Sequence, residues 1–135
     1  MEFFQLYELV DKNTYVVQGE NAWKLFNPLA LQALDNLRQY FGRPVTVNNW
    51  HSGGRFQYRG FRPLDCPIGS KLSQHKLGNA FDCDVEGYTA EEVRWIVLNN
   101  KDHELFKLIQ RIEDEVSWFH FDLKEVKDRI KVFKV

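Results

Sequence analysis

Two short stretches carry the strongest signal in this chain, Ser73-Gln74-His75-Lys76-Leu77-Gly78-Asn79-Ala80-Phe81-Asp82 and Trp118-Phe119-His120-Phe121-Asp122. Together they offer two imidazoles and a carboxylate, a ligand set that suits Zn²⁺. Zinc takes four ligands, so three from the protein leave one position for water, as catalytic zinc sites do. The sequence therefore predicts a Zn²⁺ site formed by His75, Asp82 and His120.

The three side chains meet only if two predicted strands, residues 80–85 and 115–123, are neighbours. Gly78 permits a backbone turn between the first histidine and Asp82. On the later strand His120 shares a face with Trp118, because side chains alternate along a strand. Asp84 lies on the same face as Asp82, which it could replace or support.

A simpler reading stays open at this point. A histidine and an aspartate seven residues apart also occur together by chance, and a histidine in an aromatic strand is often a core residue. The remaining histidines, His51 and His103, fall outside the pattern and are predicted not to bind metal.

Length and composition indicate one globular domain spanning residues 1–135. The chain is 44% hydrophobic and 15% aromatic, which suits a packed core. A net charge of −1 gives no reason to expect nucleic acid or an anionic membrane as a partner. Cys66 and Cys83 are too few for a disulfide framework, and both are predicted to be reduced.

No apolar run reaches membrane-spanning length, and residues 1–5 do not resemble a secretory signal. We expect synthesis in a cytoplasm without a signal peptide.

The periodicity of apolar residues, together with cap and turn residues, predicts an α+β domain. Asn27-Pro28 is typical of a helix start, and Gly42 and Pro44 of its end. Thr89-x-x-Glu92 predicts a second capped helix. The remaining predicted elements are a short helix in 4–10, a strand at 45–50, a long loop at 51–74, a helix at 102–110 and a weak strand at 130–135.

The motifs resemble those of the D-alanyl-D-alanine carboxypeptidase superfamily of metallopeptidases, which includes phage endolysins and the hedgehog signalling domain. The resemblance lies in Ser52-Gly53-Gly54-Arg55, then in Ser73-x-His75-x-x-Gly78-x-Ala80-x-Asp82, then in Trp118-x-His120-x-Asp122. It covers roughly residues 45–124. It implies a small antiparallel sheet packed against helices.

The resemblance also implies an activity, the Zn²⁺-dependent hydrolysis of peptide bonds in peptidoglycan stem peptides, of the D-Ala-D-Ala carboxypeptidase or L-Ala-D-Glu endopeptidase type. His75, Asp82 and His120 carry over as zinc ligands, and Arg55 or Arg62 as the group that binds a substrate oxygen. The implied partner is a peptidoglycan peptide, reached after release from the producing cell, as for a phage-encoded endolysin, and we expect a monomer.

One departure concerns the general base. Many members of the superfamily place an acid three residues before the last histidine, where this chain has Ser117. The nearest acids are Glu113, Asp114 and Glu115, and strand alternation favours Asp114. If none of them reaches the site, the alternative is a non-catalytic, zinc-stabilised binding or structural module.

Overall fold

The fold is organised around the antiparallel pairing of two buried strands, β2 (Ala80–Val85) and β4 (Phe119–Asp122), which confirms that the two motif strands are neighbours. The computed structural model describes all residues, 1–135. Three shorter strands complete a five-stranded sheet of order β1-β2-β4-β3-β5. They are β1 (Val45–Thr46), β3 (Arg111–Glu113) and β5 (Lys131–Phe133).

The sheet is mixed, so the prediction of an antiparallel sheet is wrong at one edge. Three of its pairings are antiparallel, whereas β5 runs parallel to β3. Both edges of β4 are already occupied, by β2 and β3. The chain after β4 therefore returns to the outer edge of β3, and its reversed direction makes that pairing parallel.

Three α-helices accompany the sheet, α1 (Lys12–Gln18), α2 (Pro28–Phe41) and α3 (Ala90–Asn99). The predicted caps of α2 and α3 are confirmed. Asn27 accepts a hydrogen bond from the Leu29 amide, and Gly42 ends α2 in the left-handed conformation at φ 63°. Thr89 and Glu92 form the capping box of α3. None of these helices has both the length and the apolar character needed to cross a bilayer.

Alternation along β2 and β4 separates the core from the polar face of the sheet. Phe81, Cys83, Phe119 and Phe121 are fully buried and belong to the hydrophobic core, which also includes the apolar side of α2. The neighbouring positions on the same strands carry Asp82 and its polar partners. Cys83 and Cys66 are both free and buried.

Three predicted elements differ from those of the structure. The strand expected at 45–50 ends at Thr46, since the Asn48 amide donates to Glu8 and its side chain bonds Val10 and Arg59. The helix expected at 102–110 is only a 3₁₀ turn, Glu104–Phe106, and is followed by β3, which was not predicted. The helix expected in 4–10 is likewise a 3₁₀ turn, and α1 follows it.

A pair of leucines on α2 tests the core. Leu34 is fully buried and Leu29 is 55% exposed. We expect Leu34→Ala to lower the free energy of unfolding by about 2–5 kcal/mol, because it removes buried methyl groups and leaves a cavity. Leu29→Ala, the matched control, should change it by less than about 0.5 kcal/mol. Urea denaturation measures both, and equal losses would contradict this description of the core.

Candidate metal centre

The register of β2 and β4 places Asp82 directly opposite His120. His75 comes from the 3₁₀ turn Gln74–Leu77, and the Ser73 hydroxyl caps this turn by accepting a hydrogen bond from the His75 amide. Gly78 then turns the chain into β2 with φ 67°, and a Cβ atom there would overlap the backbone of Leu25. Glycine is therefore required between the two ligand positions, for its conformation and for space.

The predicted ligands converge. His75 Nε2 lies 3.3 Å and His120 Nδ1 lies 2.7 Å from the same oxygen, Oδ1 of Asp82. One donor atom from each residue lies within 4.8 Å of the others, and all three residues are buried. These three residues, called the metal-binding group below, can hold a single metal ion.

The other nitrogen of each ring is occupied by an acceptor, which supports that interpretation. His75 donates from Nδ1 to the Gly60 carbonyl at 2.8 Å. His120 donates from Nε2 to Asp122 Oδ2 at 2.9 Å. Metal-binding histidines typically donate their outer N–H to a carbonyl or a carboxylate in this way. The rings are thus oriented with the free nitrogen toward Asp82, and the donor set fits a divalent ion.

Asp122 is the strongest anchor of this arrangement. It is fully buried, and besides His120 it accepts two hydrogen bonds from Arg111, at 2.9 and 2.8 Å, and one from the Lys124 amide. Burial raises the pKa of Asp122, but the hydrogen bonds from His120 and Arg111 outweigh it and leave the pKa lowered. Asp122 is therefore a carboxylate that holds one ligand ring in place.

Asp82 offers a single oxygen to a metal, because its second oxygen contacts Arg62 Nη2 at 3.3 Å. Its backbone amide donates to the Arg59 carbonyl at 2.7 Å. Burial raises the pKa of Asp82, but the neighbouring His75 and His120 hold it well below its usual range. The carboxylate is thus ionised, as a ligand must be.

His120 binds a proton tightly when no metal competes. Burial lowers its pKa, but the hydrogen bonds to Asp122 and Asp82 outweigh burial and raise the pKa from 6.5 to about 9. Because the folded-state pKa is raised, this proton stabilises the metal-free fold fully below pH 6.5, and the contribution is lost as the pH rises through about 9.

Among the three predicted acids, only Glu113 faces the metal-binding group. It lies opposite His120 on β3, and Oε1 is 3.9 Å from His120 Nδ1. Burial, followed by the charge of Asp82, raises the pKa of Glu113 more than the nearby cations lower it.

Strand alternation favours Asp114 only if the strand that carries His120 extends back to residue 114, and that strand, expected at 115–123, begins only at Phe119. Residues 114–118 form the connection between β3 and β4. Asp114 contacts Arg94 at 3.5 Å, and the exposed Glu115 pairs with Lys134 at 3.1 Å. Both carboxylates are therefore engaged elsewhere.

The loop 51–74 carries Arg55, Arg59 and Arg62 and is called the arginine loop below. It borders the site from the β2 side. A cleft of about 430 Å³ exposes the metal-binding group and is also lined by Arg62, Glu113 and Trp118. It adjoins a cleft of about 270 Å³, lined by Arg55, Gln57 and Tyr58 as well as by Arg62 and Trp118. Arg62 is thus inside the site, and Arg55 lines its extension. Trp118 forms a wall of both clefts, and its buried indole N–H has no hydrogen-bond partner.

The other sequence candidates lie outside the centre. Asp84 is taken by a bidentate ion pair with Arg59, at 2.9 and 3.0 Å. His51 packs on Tyr7, and His103 caps the 3₁₀ turn that follows it. Arg111 was missed because its strand was missed. The position of Asp122, two residues after His120 on one strand, was the available signal for its role.

The anchoring of the ligand rings can be tested by metal titration. We expect Asp122→Asn to weaken Zn²⁺ binding about 10–100-fold, because it weakens the hydrogen bond that orients His120. His75→Ala should weaken it further, since it removes a ligand. Asp84→Asn, on the same face of β2 as Asp82 but outside the group, is the matched control. Equal affinity in all four proteins, measured by competition with a chelating dye, would refute the site.

The same titration should depend on pH. A metal must displace the Nδ1 proton of His120, whose pKa is raised to about 9. We therefore expect the dissociation constant for Zn²⁺ to increase about tenfold for each pH unit below that value and to level off above it. A dissociation constant that does not change between pH 6.5 and 8.5 would contradict His120 as a ligand.

Comparison with known proteins identifies no relative, since no protein-family model, no curated protein and no solved structure matches the chain. The function must therefore be inferred from the geometry of the site and from the motifs that form it.

Proposed function

We propose that this protein is a zinc metallopeptidase that hydrolyses peptide bonds in peptidoglycan stem peptides, of the D-Ala-D-Ala carboxypeptidase or L-Ala-D-Glu endopeptidase type. The observation that carries the proposal is the convergence of His75, Asp82 and His120 at the floor of an open cleft. These are the residues that the resemblance to D,D-peptidases selects. The proposal includes a hedgehog- or D,D-peptidase-like version of the α+β fold.

The residues divide into roles that the geometry supports. His75, Asp82 and His120 hold the ion. When bound, Zn²⁺ supplies Lewis acidity that activates water and polarises a carbonyl group. Glu113 accepts the proton of the attacking water and returns it to the leaving amine, a task favoured by its raised pKa and its position beside the ligand nitrogen of His120.

Arg62 is the better placed of the two predicted arginines to bind a substrate oxygen. It is largely buried, and its Nε is fixed by the Tyr58 carbonyl at 2.7 Å while Nη2 contacts Asp82. A guanidinium held on two sides loses little entropy when it binds a carbonyl or carboxylate oxygen. Arg55, exposed on the loop, is the second candidate.

The proposed activity implies where the protein acts and what it binds. The protein is made in a cytoplasm, is released by another system and acts on the cell wall, as a phage endolysin does. Its partner is the wall peptide, without nucleic acid or membrane, and it works as a monomer.

A second function is favoured by one specific observation. Glu113 lies on the metal side of His120, so its carboxylate could complete the coordination instead of serving as a base. Four protein ligands make a closed, structural zinc site. With Ser117 at the position where many members of the superfamily that the motifs resemble place the base, the protein would then be a zinc-stabilised binding or structural module.

Substitution of Glu113 separates the two functions. As a general base, Glu113→Gln should lower kcat about 10²–10⁴-fold and leave Zn²⁺ affinity within about twofold. As a fourth ligand, the same change should weaken Zn²⁺ binding and lower the unfolding temperature of the metal-loaded protein.

Asp114→Asn is the matched control, since this neighbouring acid pairs with Arg94. Activity on purified peptidoglycan is followed by release of free amines. If Glu113→Gln retains full activity, the assignment of Glu113 as the general base is wrong. If the wild-type protein cuts no stem peptide, the proposed peptidase function is wrong.

A further inference from the structure

The cleft that exposes the metal-binding group continues beyond it, on the side of the sheet away from the arginine loop. A further cleft of about 400 Å³ shares Arg111 and Lys124 with the metal cleft. The arginine loop meets the metal cleft at Asp82 on β2, whereas this outer cleft begins at Arg111 on β3. A substrate chain that crosses the metal group from β2 toward β5 would therefore reach the outer cleft.

The lining of the outer cleft is mainly cationic. Its seven lining residues include Arg111, Lys124, Lys127 and Lys131, against two carboxylates, Glu125 and Asp128. The three lysines form no ion pair within the chain, and neither do the two carboxylates, so the unpaired groups of the outer cleft have one positive charge in excess, whereas the whole chain carries a net charge of −1. Unpaired ammonium groups around one concave surface favour an anionic ligand.

Arg111 gives this surface a fixed component. Its side chain is only 16% exposed, and two of its nitrogens are held by Asp122. Its guanidinium also lies over the ring of Phe133, 4.0 Å from the centroid. A guanidinium stacked and bonded in this way is already ordered, so it can bind an anion at small entropic cost.

We propose that the outer cleft is a subsite for a carboxylate carried by the substrate at a distance from the bond that is cut. This inference rests on the proposed peptidase function and narrows its substrate to an extended acidic peptide lying across the metal group. Lys124, Lys127 and Lys131 attract the carboxylate, and Arg111 orients it. The bond-breaking groups do not change.

Matched peptides and variants test the subsite in the zinc-loaded protein. The peptides are one stem peptide with free side-chain carboxylates and the same peptide with those groups amidated. We expect the triple variant Lys124→Gln, Lys127→Gln, Lys131→Gln to raise KM for the acidic peptide about tenfold and to leave kcat unchanged. A single exposed ion pair contributes little to binding, so three substitutions are needed for a clear effect. Amidation should raise KM for the wild-type protein similarly and have no effect in the triple variant.

Lys101→Gln, an exposed lysine in no ion pair and outside all three clefts, is the control and should behave like wild type. Unchanged Zn²⁺ affinity and urea unfolding of the triple variant verify that its fold is intact. If the triple variant discriminates between acidic and amidated peptide as wild type does, the subsite is refuted.

Equilibrium binding keeps this inference separate from the peptidase proposal. If wild type cuts neither peptide, the proposed function fails, yet calorimetry can still show tighter binding of the acidic peptide that is lost in the triple variant. Equal binding of both peptides by wild type would overturn the subsite. Inorganic phosphate and acetate can also be compared as competitors of the acidic peptide. If phosphate displaces the peptide more strongly than acetate does, the outer cleft is a phosphate site, and the assignment of a carboxylate subsite is overturned.

Discussion

The structure depends on the antiparallel register between β2 and β4. That register brings Asp82 opposite His120 although the two residues are 38 positions apart. A shift of β4 by one residue against β2 would turn His120 to the other face of the sheet and would move Phe121 out of the core in exchange. Burial of the aromatic face therefore specifies the alignment of the polar face. The same register determines both the packing of the core and the geometry of the metal-binding group.

Orientation of the ligand rings is the second constraint, and it comes from outside the three ligands. A backbone carbonyl holds His75, and a buried carboxylate holds His120. Asp122 is in turn held by Arg111, which extends to the outer cleft. Buried charges of this kind are tolerated because each has a hydrogen-bonded partner. The same chain of contacts links the proposed substrate subsite to the metal-binding group through one arginine and one aspartate.

Tertiary structure determines which acidic side chain lies beside the metal-binding group. The acid that faces the metal-binding group belongs to β3 and not to the segment directly before the last histidine. Because Glu113 pairs with His120 across the sheet, its Oε1 lies 3.9 Å from His120 Nδ1, the ring nitrogen that faces Asp82. The acid and the ligand thus come from neighbouring strands of one hairpin.

The sequence by itself determined the α+β class, the boundaries of α2 and β2, the caps of α3 and the three residues that converge into a group able to hold a metal ion. These features depend on local signals, namely caps, alternation and motif spacing. Only the tertiary structure decided the parallel edge strand, the existence of β3, the position of Glu113 rather than Asp114 beside His120, and the contacts that Asp122 and Arg111 make. Each of these depends on which strands become neighbours, and a three-residue strand such as β3 is too short to show that preference in its own pattern.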